Sequence, residues 1–186
     1  MFIHDRPTTG GWLTPDRDRL AAADPTVIFT ADALQADLAA DLSADGYRVC
    51  HVEPTTLDEV FASFRTVGAA VDRAAAAEAL IEVDRARVTA VRTAVAGRER
   101  PVVYAEEWGR PPMAAGNWVP EAIAAAGGRY PFVAPGDRSA RVDGETVEAA
   151  APDLVVLHHC GAGERTDPAV FTDRPWGVDA PVEVIH

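Results

Sequence analysis

Four clusters in this chain hold residue types that could do chemistry. The run Trp108-Gly-Arg-Pro-Pro-Met-Ala-Ala-Gly-Asn-Trp118-Val-Pro-Glu121 gathers two indoles, a double proline and two glycines. Such a stretch is stiff, aromatic and open to close approach, which suits contact with a large, rigid, half-apolar ligand. The competing reading is that both indoles plug the domain's own core. His158-His159-Cys160 brings two imidazoles and a thiol together, good ligands for zinc or a chelated cobalt. The other histidines, His4, His51 and His186, are scattered, and a metal site needs three or four ligands. Metal binding, lining of a ligand cleft and a plain structural role therefore all stay open for this trio. Glu106-Glu107 suits a hydrolase general base, polar contacts to a ligand amide, or a solvated strand end.

Gly161-Ala-Gly163 followed by Glu-Arg-Thr has the glycines of a phosphate loop, but neither its spacing nor its lysine. There is no Gly-x-Ser-x-Gly elbow, no His-Glu-x-x-His helix and no recognisable Cys–His spacing. Enzyme readings thus gain no support from these motifs. A small His/Cys metal- or haem-dependent α/β enzyme is the remaining reading of that class.

Secondary structure must position these groups, and the pattern is that of an α/β protein. A helix is expected from Thr14-Pro15-Asp16 to about Ala23, then a strand over 26–30, a helix over 32–44 ended by Gly46, and a strand over 47–52. Thr56-Leu57-Asp58-Glu59 is a capping box opening a helix to about Ala70. Residues 74–96 contain no Gly or Pro and predict the longest helix, with Leu80, Val83, Val88, Val91 and Val95 as its apolar stripe. A strand over 102–105 precedes the tryptophan run, read as a loop, and a helix over 119–126 follows it. A short helix over 143–150 and a strand over 154–157 come next, then a loop-rich tail. Residues 21–29 and 149–157 echo one another as a helix end, a Pro/Asp break and a buried strand. The expected fold class is therefore α/β, with two small lobes built on parallel sheets and joined by one long helix. The boundaries are 1–72 for a partial first lobe, 73–97 for the connecting helix and 98–186 for the second lobe.

Composition limits the partners. The formal net charge is −12, and all 17 basic residues are arginine. That field repels phosphate, so nucleic acid and anionic membranes are disfavoured. An acidic, lysine-free, alanine-rich chain also suggests adaptation to high salt, which screens self-repulsion. No apolar run reaches the roughly 18 residues of a membrane span, and the opening Met1 to Arg6 shows no secretory pattern. Cys50 and Cys160 are read as reduced.

The tryptophan run with Ala126-Gly-Gly128, Val142-Asp-Gly-Glu-Thr-Val147, Ala151-Pro-Asp-Leu-Val-Val-Leu157 and Cys160-Gly161 resembles the substrate-binding proteins of ABC importers for vitamin B12 and iron chelates. Asp24-Pro-Thr-Val-Ile28 and Val52-Glu-Pro-Thr-Thr-Leu57 extend the match, which covers about residues 14–162 and is nearest to the B12-binding type. The resemblance implies a carrier holding cobalamin or a related corrinoid in the cleft between two lobes, with a siderophore or haem carrier of the same fold as the alternative. It implies no resident cofactor. It places Trp108, Gly109, Arg110, Pro111, Pro112, Asn117 and Trp118 on the ligand wall and Glu145 at the surface that docks to the permease, which works with an ATPase subunit. It also implies an extracytoplasmic setting, although this chain carries no address of its own. Members of the family have a further βα unit before residue 14 and a closing helix after 186, so the chain is expected to be shortened at both ends. The family's first-lobe aromatic falls at Thr30. Its docking acid falls near Ala36, with Asp32 or Asp37 as substitutes.

Overall fold

A computed structural model describes residues 8–185; His4, His186 and the opening Met1 to Arg6 lie outside the described residues. The chain divides into two compact units, Met1–Glu53 with Ala62–Glu78, and Pro54–Phe61 with Ala79–His186.

In the first unit, helix α1 (Arg17–Ala23) starts where the Asp16 side chain accepts from the Arg19 N–H, satisfying a donor the helix itself leaves unpaired. It ends on Asp24, whose φ of 43° is left-handed, and Pro25 prevents its continuation. Strand β1 (Ile28–Ala31) pairs in parallel with β2 (Val49–Val52), Ile28 opposite Val49. The helix expected from residue 32 begins instead as a 3-10 turn, Ala33–Gln35, before α2 (Ala36–Ala44). Within that turn Gln35 accepts from the Ala31 N–H and donates to the Trp12 carbonyl. Thr30 is buried, with its hydroxyl 2.9 Å from His51 Nδ1, so a small polar pair fills the place where the resemblance expected an aromatic ring.

Helices α3 (Leu57–Ala70) and α4 (Ala74–Val95) contribute residues to both units. The capping box forms as expected. Thr56 Oγ1 accepts from the Glu59 N–H, and the Glu59 carboxylate accepts from the Thr56 N–H, each at 3.2 Å. The α4 stripe differs from the sequence pattern. Leu80, Val83 and Val91 are exposed, while Ala77 and Ile81 are buried. Local periodicity finds a helix's apolar residues, but the face that turns inward is set by what packs against it.

The second unit carries a five-stranded sheet in the order β5-β4-β3-β6-β7, formed by β3 (Val103–Gly109), β4 (Pro112–Ala114), β5 (Ala140–Arg141), β6 (Leu154–Leu157) and β7 (Val182–Val184). Strands β3, β6 and β7 are parallel, with Val103 opposite Leu154 and Val155 opposite Val182. Strands β4 and β5 are antiparallel, so the sheet is mixed rather than purely parallel. An antiparallel edge on a parallel sheet is common in α/β folds. Helix α5 (Val119–Ala125), helix α6 (Gly144–Ala150) and the short α7 (Ala169–Thr172) complete the unit. Its core is Tyr104, Ala114, Val133, Val147, Val155, Leu157 and Phe171.

The two echoing segments share a backbone device. Helix α6 ends on Ala151 at φ 47°, as α1 ends on Asp24, and a proline follows each cap.

Candidate functional site

Strand β3 runs four residues beyond the expected end at Ala105, and its last residues form a hairpin with β4. The first half of the tryptophan run is therefore a β-hairpin, not a loop. Carrying a strand through Glu106 would strand a carboxylate in the interior unless it is paired. Glu106 is fully buried, and the partner arrives from the tail. Arg174 Nη1 and Nη2 donate to its two oxygens at 2.6 and 2.9 Å. The Tyr104 hydroxyl donates at 2.8 Å, and His159 Nε2 lies 3.0 Å away. Burial and the adjacent Glu106 charge push the Tyr104 phenol pKa up, so it stays a donor. Glu106 is thus not a solvated strand end. Arg174 also donates to the Gly109 carbonyl and lies 4.6 Å from the Trp176 ring centroid, which fastens the hairpin turn to the tail. Sequence reasoning missed this pair because the partners are 68 residues apart and Arg174 sits in a run without periodicity.

The chain leaving β6 continues beside β3: the His158 N–H donates to the Glu106 carbonyl and the Cys160 N–H to the Glu107 carbonyl, both at 3.0 Å. This holds the His158-His159-Cys160 trio at the carboxyl end of the parallel strands, where α/β proteins place ligands. The three side chains have different surroundings. His159 is tied to Glu106, with its side chain 10% exposed. Among the described residues His158 Nε2 is buried without a hydrogen-bond partner, and burial, then the neighbouring His159, lowers its pKa. Cys160 is exposed, and both cysteines are thiols. Among the described residues no group of three or more His, Cys, Asp or Glu side chains is placed to hold a metal ion.

Three hollows lie across this unit, and the first shares wall residues with each of the other two. The first, about 440 Å³, is lined by Trp108, Arg110, Cys160, Arg165 and Val170 with Gly109 and His159. The second, about 1040 Å³ and largely apolar, is lined by Trp118, Val119, Ile123, Val156, His158 and Ile185 among others. His159, Gly161 and Ala162 belong to both walls. The third, about 410 Å³, holds Pro111 and Pro112 with Trp176, and shares Gly109 and Arg110 with the first. Trp108 and Trp118 are 49% and 38% exposed, so neither indole is spent on the core. They face different hollows instead of forming one shelf with the prolines. Trp108 Nε1 donates to the Arg110 carbonyl at 2.9 Å, which leaves the indole face for apolar contact.

Asn117 lines none of these hollows. Its φ of 54° is one that asparagine tolerates, and its carbonyl accepts from the Gly136 N–H, so its backbone sets the approach to Trp118. Glu145 is exposed in the first turn of α6. Arg165 and Arg174 were absent from the expected wall, and no local signal marks either.

The sequence matches the family described as periplasmic binding protein over residues 4–176. No curated protein matches it. Among solved structures, an ABC transporter substrate-binding protein from Listeria monocytogenes EGD-e is similar at 18% identity and a TM-score of 0.71, over 87% of this chain and 64% of that one. The periplasmic heme-binding protein RhuT from Roseiflexus sp. RS-1 gives 21% identity and 0.78, over 97% and 74%. The periplasmic vitamin B12 binding protein BtuF of Vibrio cholerae gives 18% and 0.64, over 81% and 60%. The chain thus spans less than two thirds of the length of the Listeria and Vibrio proteins. These likenesses concern the fold. With the family match running from residue 4 to 176 and the same fold in RhuT and BtuF, the chain belongs to the periplasmic binding protein family.

Proposed function

We propose that this chain is the substrate-binding component of an ABC importer. In this reading it carries a metal-bearing chelate against the linked hollows of its second unit and catalyses nothing. The observation that carries the reading is the pair of half-exposed indoles, Trp108 and Trp118, on walls joined through His159, Gly161 and Ala162. Stiff aromatic faces beside a large apolar hollow suit a flat macrocycle, whose two sides are apolar and whose rim is polar. Cobalamin or a related corrinoid is the first candidate. Haem or a ferric chelate is the second, and the name of RhuT favours it as much as that of BtuF favours the first.

The partners in this reading are a permease and an ATPase, with Glu145 presented to the permease on the exposed first turn of α6. The setting is extracytoplasmic, and no helix among the described residues is long and apolar enough to cross a membrane. Titration of tryptophan fluorescence with cyanocobalamin, haemin and ferric siderophores tests the proposal. Saturable quenching by one of these classes is expected, and a flat response to all of them sinks it.

A further inference from the structure

We propose that the hollow beside Trp108 is an anion subsite in which Arg110 and Arg165 receive an acidic edge of the carried ligand; this rests on the carrier reading above. The chain has 29 acidic side chains against 17 basic ones, yet among the described residues lining this hollow there is no Asp or Glu, and two are arginines. The carboxylate beneath it, Glu106, is already taken up by Arg174 on both oxygens. Arg110 is exposed and in no ion pair or side-chain hydrogen bond among the described residues, although Asp173 lines the adjoining hollow.

Arg165 is held in place by its own loop. Its Nε donates to the Ala162 carbonyl at 3.1 Å and its Nη2 to the Gly161 carbonyl at 2.6 Å, and among the described residues Nη1 has no partner. Two guanidinium groups around one hollow repel each other until an anion enters, and their forked donors match a carboxylate or phosphate. The Trp108 N–H is engaged with the Arg110 carbonyl, and the arginines are the cationic donors in this wall. Anionic oxygens could come from the propionates of a porphyrin or from the phosphodiester of a complete corrinoid, and the same chemistry receives either.

Two probe pairs test this and separate the sources: haemin against haemin dimethyl ester, and cyanocobalamin against dicyanocobinamide, which lacks the phosphodiester. In at least one pair the acidic member should bind about tenfold more tightly, the net worth of one charge-assisted hydrogen bond. That preference should shrink as salt is raised. Arg110→Gln with Arg165→Gln should bring the ratio to about one through weaker binding of the acidic member, with the thermal midpoint showing that the variant is folded. If the single Arg110→Gln also lowers the ratio, the Arg165 loop need not be disturbed to see the effect. Equal binding of both members in each pair would overturn the anion subsite and leave the carrier reading standing, as would a preference that survives the double substitution. Failure of all four probes to bind would remove the carrier reading and this one with it.

Discussion

Arg174 grips both carboxylate oxygens of Glu106, at 2.6 and 2.9 Å, across 68 residues of sequence. The pair ties the middle of β3 to the tail that follows α7, and it lies beneath the hairpin turn through the Gly109 carbonyl. Removing one partner leaves a charge in the interior without its counter-charge. Glu106→Gln should cost about 3–5 kcal/mol of stability. Glu106→Gln with Arg174→Met should cost less than the sum of the single changes. Urea denaturation of the three variants checks this, and strict additivity would show that the two side chains do not act as a pair.

His158 gives the protein a pH dependence of known sign. Burial and the neighbouring His159 lower its pKa from the ordinary value of 6.5, so the folded state binds its proton less readily than the unfolded chain. The unfolded state therefore gains as pH falls below about 6.5, and stability declines from there toward the lowered folded value. Above 6.5 both states hold His158 neutral and its contribution is constant. The urea midpoint followed from pH 7.5 to 5 should fall more steeply for the wild type than for His158→Gln. Parallel curves would remove His158 as the source.

Trp118 lines the hollow of about 1040 Å³ and Trp108 the one of about 440 Å³. Under the carrier proposal, Trp118→Ala should weaken binding of the recognised probe by about 1–3 kcal/mol, the usual range for an aromatic anchor. Trp108→Ala should also weaken it. Isothermal titration calorimetry measures both without relying on the indoles as reporters, and unchanged affinity in both variants would detach the indoles from the site.

Gly116 is packed against main chain. A Cβ there would run into Ser139 N, Arg138 C and Asp137 O, and backbone cannot swing aside as a flexible side chain can. Gly116→Ala should therefore cost about 3 kcal/mol, at the upper end of overpacking. A midpoint shift within error in thermal unfolding would mean that the 136–139 segment gives way.

The net charge of −12 sets a salt dependence that the fold does not reveal. If the composition reflects adaptation to salt, the thermal midpoint should rise steadily from about 0.05 M to 1 M sodium chloride, as screening shortens the reach of self-repulsion. A flat midpoint would count against that adaptation.

Elements governed by neighbours in sequence were legible before the structure. The capping box at Thr56 and Glu59, the long α4 and strand β6 over Leu154–Leu157 depend on contacts a few residues apart, and all lie where the pattern placed them. The tail, read as loop-rich, nevertheless contains strand β7 at Val182–Val184. Residues governed by distant partners were not legible. A solvated strand end stayed among the readings of Glu106 because its counter-charge lies 68 residues away in the chain. The inward face of α4 was misjudged for the same reason. The tryptophan run was read as one loop, but its first half pairs as a hairpin and divides the indoles between two hollows.

By itself, the sequence determined the α/β class, the breaks between elements and the presence of aromatic, proline and arginine side chains in one run, because propensity, capping and periodicity act over a few residues. Only the tertiary structure decided that Glu106 is sealed by Arg174, that His159 belongs to two hollows, and that Arg165 joins Arg110. Each of these depends on which strands lie side by side. The free energy of a buried charge or a shared wall resides in contacts between segments far apart in the chain, and no local pattern encodes them.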